Sequence, residues 1–264
     1  MRLRSSLLCA CLVLLAWTGP TAAQRAEYDF YASFRSWMMG LPQPERVDRA
    51  GVLERYRQRL TAEGVAATEI ERRLTLIRTA RESLESDFWN RFFTTDKGVF
   101  NAAPNEFLVS IVQGRAPGRA LDVGMGEGRN TLYLAKLGWD VTGFDPADKA
   151  VALAQQRAKQ LGLKITTHTV LDSAFDFGTE QWDLILYSWT RPSTPDAAAR
   201  AIAGLKPGGI IVFEGGRGFF PPNGALEMFK ALRILKYEDV PAVSDYFDRE
   251  QMNVLRMVAV KEGR

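Results

Sequence analysis

The run from Ala120 to Asn130 constrains this chain more than any other. Apolar Ala120, Leu121 and Val123 break abruptly into Gly124, Gly126 and Gly128, after which Leu132, Leu134, Ala135 and Leu137 recur at helical spacing. That change of period predicts a strand, a glycine loop and a helix. Glycine at every second position lets the backbone turn tightly and approach a ligand with no Cβ between them. The helix behind the loop aims its free N–H groups at the same spot, so a nucleotide-like ligand is expected there.

From Ala120 onward strands and helices alternate. Asp140 to Phe144, Lys164 to Leu171, Trp182 to Tyr187 and Ile210 to Phe213 read as strands, separated by helices over Ala147 to Leu161 and Asp196 to Leu205. The second of these helices is expected to stop at Lys206 to Gly209. Alternation of this kind implies a parallel sheet with helices on both faces. Leu232 to Val243 and Met252 to Val260 can form two strands joined by a polar connection, which predicts an antiparallel pair at one edge.

The stretch before Asn101 is helical and strand-poor. Phe30, Phe34, Trp37 and Met38 mark a first helix that stops at Gly40 and Pro42, and a second is expected from about Pro44 to Leu60. A third opens at Thr68 to Glu71, which reads as a capping box, and carries the stripe Ile70, Leu74, Ile77, Leu84 and Phe88. Its arginines alternate with acids, as a solvated mixed-sign surface requires and a polyanion site does not. The aromatic cluster Phe88, Trp89, Phe92, Phe93 and Phe100 fits either a packed core or a lid over the ligand site.

Residues 1–23 read as a secretory signal peptide: Arg2 and Arg4, the apolar run Leu7 to Trp17, then small residues through Ala23. The run is shorter than the roughly 20 residues a spanning helix needs. Cleavage would remove Cys9 and Cys11, leaving a mature chain without disulfides or a thiolate metal site. It would also leave 32 of the 34 basic residues against 31 acids, a net charge of +1 that gives no sign of a nucleic-acid partner. The exported protein would be secreted or periplasmic with no stable membrane insertion; a retained leader would make it membrane-associated.

In an open parallel sheet, ligands bind beyond the carboxyl ends of the strands. That rule singles out Asp122 to Asn130, Asp145 and Pro146, Asp172 and Ser173, Tyr187 to Trp189, and Glu214. Carboxylates after successive strands suit a ligand offering hydroxyls and amines. A dinucleotide site wants a third glycine where Arg129 stands, and Asp122 would face its pyrophosphate unfavourably.

The run Leu121 to Gly128 resembles the first motif of class I S-adenosylmethionine-dependent methyltransferases. Asp145 is similar to the acid that ends their second strand, Asp172 and Ser173 to the adenine-contacting position after the third, and Trp182 to Tyr187 to the fourth strand. Leu205 to Phe213 is similar to the lead into the fifth strand, and Gly126 to Leu134 resembles the tellurite-resistance and thiopurine branch. The resemblance covers about residues 101–261. It implies an α/β fold: a doubly wound, Rossmann-like, mostly parallel seven-stranded sheet with an antiparallel last strand. Residues 1–23 would be the leader, 24–100 a helical or lid segment, and 101–264 the methyltransferase domain.

The same resemblance implies S-adenosyl-L-methionine as cofactor. Asp122 would orient its amino acid part, Gly124, Gly126 and Gly128 would let the backbone pass close, and Asn130 would lie beside it. Asp145 would take the ribose, Pro146 would pack near the adenine, and Asp172 with Ser173 would meet the adenine amino group; Tyr187 completes the set. Tyr187, Ser188 and Trp189 stand where acceptor contacts come in such enzymes, without the Asn-Pro-Pro-Tyr sequence of base and glutamine methylation. Tyr187 and Glu214 are the candidate catalytic residues, while Glu214 and Arg217 either touch the acceptor or belong to a solvated loop. His168 lies mid-strand, and Asp183, about 13 Å from the ligand end of its strand, is structural. No metal site is visible. The expected function is methyl transfer to a small-molecule acceptor by in-line displacement, with a general base needed only if the acceptor must lose a proton. The alternative is a non-catalytic exported binding protein that keeps the fold.

Overall fold

The computed structural model describes residues 21–39, 41, 49–79, 81–94, 101–244 and 251–263. The leader's Arg2 to Pro20, the helix stop at Gly40 and Pro42, the expected helix start at Pro44, and Phe100 lie outside the described residues. Among the described residues the chain opens with helices α1 (Ala22–Met39), α2 (Arg49–Ala62), α3 (Ala67–Thr79) and α4 (Arg81–Thr94). Then follow α5 (Glu106–Val112), β1 (Arg119–Val123), α6 (Arg129–Lys136), β2 (Asp140–Asp145), α7 (Asp148–Gln160), β3 (Thr166–Thr169) and β4 (Trp182–Ser188). The chain continues with α8 (Pro195–Gly204), β5 (Leu205–Gly216), a short turn of helix over Arg217–Phe219, α9 (Gly224–Met228), β6 (Arg233–Val243) and β7 (Gln251–Val260).

The strands form one seven-stranded sheet in the order β3-β2-β1-β4-β5-β7-β6. β1 to β5 run parallel, and β7 is antiparallel to both of its neighbours, β5 and β6. This is the doubly wound, Rossmann-like α/β arrangement of class I methyltransferases, with the strand order reversing beside β1 and the helical segment ahead of it. Strand period 2 divides the core into two layers. Leu184, Leu186 and Val212 pack with Phe107 and Leu108 of α5 and Leu134 of α6. Their neighbours Ile185, Tyr187, Ile211 and Phe213 face the other way, onto Ala198 and Ala201 of α8 and onto Phe220 and Phe229.

Local chemistry sets several of the boundaries. Thr194 caps α8, its hydroxyl accepting from Ala197 N–H at 3.1 Å, and Pro195 follows with the φ a first helical residue needs. β5 starts earlier than its apolar run implies, at Leu205 instead of Ile210. Its register against β4 shifts between the Trp182 and Leu184 pairings, absorbing the glycines within an irregular strand start. At the edge of the sheet, β3 keeps only four residues.

Two expectations in the helical segment need correction. Thr68 lies inside α3, not at its cap, and the Glu71 carboxylate is taken by Arg57 of α2 instead of returning to Thr68. The third helix is also two: the buried stripe passes from Ile70, Leu74 and Ile77 on α3 to Leu84 and Phe88 on α4. Arg59 with Glu63, and Arg72 and Arg73 with Glu69, form the ion pairs of a mixed-sign surface.

The helical segment docks on the sheet domain through α4. Ser86 donates to the Pro146 carbonyl at 2.7 Å, and the Asn90 amide both donates to Asp148 Oδ1 at 2.6 Å and accepts from Lys149 N–H at 3.0 Å. The residue before α7 is Ala147, which offers no capping side chain. Asn90 therefore satisfies a free donor at that helix terminus from a different part of the chain.

Candidate functional site

The glycine loop turns as its sequence requires. Gly124, Gly126 and Gly128 take φ of 66°, 52° and 81°, the left-handed region that disfavours a side chain. Thr190 lies 3.1 Å from the place a Cβ would occupy on Gly124, and the tip of the Phe93 ring 3.0 Å from the corresponding place on Gly126. Gly128 serves a different purpose. A Cβ there would come within 2.8 Å of the Ala154 methyl, so its bareness lets α6 and α7 approach.

Above the loop lies a cavity of about 480 Å³, a size suited to a small ligand. Its floor is Val123 to Glu127 with Arg129 and Asn130; one end carries Phe144, Asp145, Pro146, Leu171, Asp172 and Ser173; the other runs from Ser188 to Thr194 and includes Phe219. The helical segment supplies the roof through Arg35 of α1 and Glu85, Trp89 and Phe93 of α4. The aromatic cluster divides: Phe88 is buried in the helical core, while Trp89 and Phe93 line the cavity.

Asp145 ends β2 with its carboxylate between two backbone donors, Oδ2 accepting from Gly126 N–H at 2.9 Å and Oδ1 from Ala147 N–H at 2.8 Å. Burial pushes its carboxyl up to about 6, against the pull of those hydrogen bonds. Asp172 accepts from Ser193 N–H at 2.7 Å, which ties the segment after β4 to the one after β3. Arg200 of α8 fixes that segment from beneath, donating to the carbonyls of Asp172, Ser173 and Phe175 at 2.9, 3.1 and 2.7 Å. Asn130 lines the floor and accepts from Asn105 N–H at 2.8 Å.

Three expected site residues stand elsewhere, and alternation along the strands is the cause in each case. Asp122 is 1% exposed and is not part of the cavity lining; it points with Ala120 toward α6 and accepts the Thr131 hydroxyl at 2.6 Å. Burial raises its carboxyl to about 6 as well, opposed by Thr131 and by the charge of Arg129. Glu214 shares the face of Val212, where it binds the Asn105 amide and receives Arg256 Nε at 2.5 Å. Tyr187 faces the α8 layer, its hydroxyl buried and without a partner among the described residues; burial first, and Asp172 second, drive that hydroxyl's pKa upward. Neither Glu214 nor Tyr187 is among the residues that line the cavity.

The remaining candidates fall where their positions imply. His168 is exposed on edge strand β3, its ring 5.8 Å from that of Phe175. Asp183 binds Arg119 N–H and Lys206 at the far end of β4, both at 2.7 Å. Arg217 pairs with Asp239 on the surface. Among the described residues no group of three or more His, Cys, Asp and Glu is placed to hold a metal ion, and no helix is long and apolar enough to cross a membrane. The cavity also holds residues that sequence reasoning missed. Thr190 and Ser193 could have been found by following the β4 end past Trp189, whereas nothing local marks Arg35 or Glu85.

With this geometry in view, residues 120–209 match the methyltransferase domain family. That match covers about a third of the chain, from β1 to the start of β5. Among its relatives are the ubiquinone biosynthesis O-methyltransferase of Paramagnetospirillum magneticum, 37% identical over 35% of this chain and 38% of that protein, and the 2-heptyl-1-hydroxyquinolin-4(1H)-one methyltransferase of Mycobacteroides abscessus, 34% identical over 45% and 55%. A probable S-adenosyl-L-methionine-dependent methyltransferase TehB of Haemophilus influenzae is 40% identical over 20% of this chain and 18% of its own length. The crystal structure of TehB from Haemophilus influenzae shares the fold, with a TM-score of 0.54 and 22% identity over 67% of each chain. The chain thus spans about half or less of the length of the curated relatives it matches.

Proposed function

We propose that this protein is an S-adenosylmethionine-dependent methyltransferase acting on a small-molecule acceptor. The observation that carries the proposal is the order of groups along one cavity wall: a bare glycine loop after β1, a buried carboxylate after β2, and Asp172 with Ser173 after β3. The donor set fits the cofactor. Asp145 is placed for ribose hydroxyls, Pro146 for the face of the adenine, and Asp172 and Ser173 for its amino group. Asn130 lines the floor, and the buried hydroxyl of Ser193, which also lines the cavity, has no partner among the described residues.

Asp122 and Gly128 act one layer back. By holding Thr131 and admitting Ala154, they fix α6 and α7 behind the loop. When bound, the cofactor supplies an electrophilic methyl group together with its own leaving group. The protein's part is then alignment, and correct orientation of reacting groups is worth up to roughly 7–11 kcal/mol. Trp89 and Phe93 line the cavity from the helical segment. A small-molecule acceptor is supported by the cavity's size and by the names of the quinolone and ubiquinone-biosynthesis relatives. The nearly balanced charge favours the same class over nucleic acid.

Isothermal titration of the intact chain with S-adenosylhomocysteine tests the proposal. Binding that Asp145→Ala and Asp172→Ala both weaken is expected; no binding by the folded wild type would overturn it. We further propose that residues 1–23 form a cleaved export leader, to be checked by sequencing the N-terminus of the mature protein; Met1 at the N-terminus would refute cleavage.

A further inference from the structure

The cavity divides along the order of the sheet. β3, β2 and β1 end in the residues given to the cofactor, while β4 and β5, on the other side of β1, end at Ser188 to Arg191 and at the turn containing Phe219. This second half is built around Trp189. Its φ of 58° is left-handed, a conformation that bulky residues adopt only when their surroundings hold them there, and one that concentrates at functional sites. Contacts from β5 and from the turn that follows it help to hold it there. Trp189 N–H donates to the Glu214 carbonyl at 2.8 Å, and its indole meets the Phe219 ring edge-to-face, with centroids 6.3 Å apart at 88°.

The result is an indole only 8% exposed that nonetheless forms part of the cavity wall. The turn sets Trp189 just beyond the carboxyl end of β4, beside the glycine loop, where the next residue, Thr190, lies against Gly124. Ser188, one residue earlier, adds a buried hydroxyl with no partner among the described residues. Trp89 and Phe93 bring further flat surfaces to the cavity from the roof.

We propose that Trp189, backed by Phe219, is the platform on which the acceptor lies, that the acceptor is therefore a planar aromatic or heteroaromatic molecule, and that the Ser188 hydroxyl meets its polar substituent. Flat aromatic walls gain most from a flat, π-rich guest through offset stacking and edge contacts. Because this division of the cavity presupposes the cofactor site proposed above, the test must separate the two.

The probes are 2-naphthol and its saturated counterpart decahydro-2-naphthol. Each is titrated into the full chain with and without S-adenosylhomocysteine and followed by saturation-transfer NMR and calorimetry. The wild type should prefer 2-naphthol by about tenfold. Trp189→Phe should keep the preference and Trp189→Leu should abolish it, with S-adenosylhomocysteine affinity unchanged within about twofold in both. Ser188→Ala should weaken 2-naphthol by about threefold or more. Equal binding of the two probes by the wild type, or an undiminished preference in folded Trp189→Leu, overturns the platform; unchanged 2-naphthol binding in Ser188→Ala overturns the role of the hydroxyl. A failure of S-adenosylhomocysteine to bind refutes the cofactor site alone, since the ring preference is still measured in its absence.

Discussion

Replacing Asp145 with asparagine should flatten two pH profiles that run in opposite directions. The carboxyl titrates near 6 in the folded protein, against an ordinary value of 3.8. A raised carboxyl means that the fold holds the proton more tightly than the unfolded chain does. Its stabilising contribution is therefore complete below about 4 and is lost as pH rises through 6. Between pH 5 and pH 7.5 this one group should reduce stability by about 1 kcal/mol. Binding runs the other way: ribose hydroxyls need the ionised carboxylate, which is about one-tenth populated at pH 5 and nearly complete at pH 7.5, so S-adenosylhomocysteine affinity should rise about tenfold. Asp122 titrates in the same range, and its share of the stability change persists in the variant. Urea denaturation and calorimetry at the two pH values give both numbers. If Asp145→Asn keeps the full wild-type pH dependence in both, Asp145 is neither buried as described nor the ribose ligand.

Gly128→Ala puts a Cβ 2.8 Å from the Ala154 methyl at a φ of 81°, so it should cost about 2–4 kcal/mol, read as a lower Tm. Asn90→Ala removes the donor and acceptor that α4 offers to α7; a loss of about 1 kcal/mol is expected, with faster amide exchange in α4 than in the wild type. Lys206→Ala breaks a half-exposed ion pair with Asp183 and should change stability by less than about 1 kcal/mol while leaving S-adenosylhomocysteine binding intact; a loss of binding would mean that Asp183 belongs to the site after all.

Much of the fold can be read from periodicity, because alternating apolar runs and amphipathic stretches bury themselves in only one way. Asp145 and Asp172 were legible as strand-end acids for the same reason. Asp122, Glu214 and Tyr187 were not, since a strand-end rule gives distance along the strand but not the face. Their direction depends on parity relative to layers of helix that form far away in sequence. Asn105 illustrates the limit: one side chain caps α5, binds Glu214, and offers its backbone N–H to Asn130, yet each partner lies on a different element. Arg35 and Glu85 reach the cavity only because two helices dock as a unit, and no local spacing announces docking. The positive φ of Trp189 was equally hidden, since nothing in a tryptophan's identity favours that backbone.

The cap that Asn90 lends to α7 joins two events that look separate. α7 begins directly beyond Asp145, and Ala147 N–H, one residue before it, is held by the same carboxylate that would take the ribose. Seating of the helical segment and occupation of the ribose site thus act on one helix terminus. Thermodynamic reciprocity follows: by whatever factor the docked segment tightens cofactor binding, the cofactor must tighten docking. A ligand that fills the ribose end would also hold the roof in place, so the acceptor would meet a chamber already closed above the methyl donor.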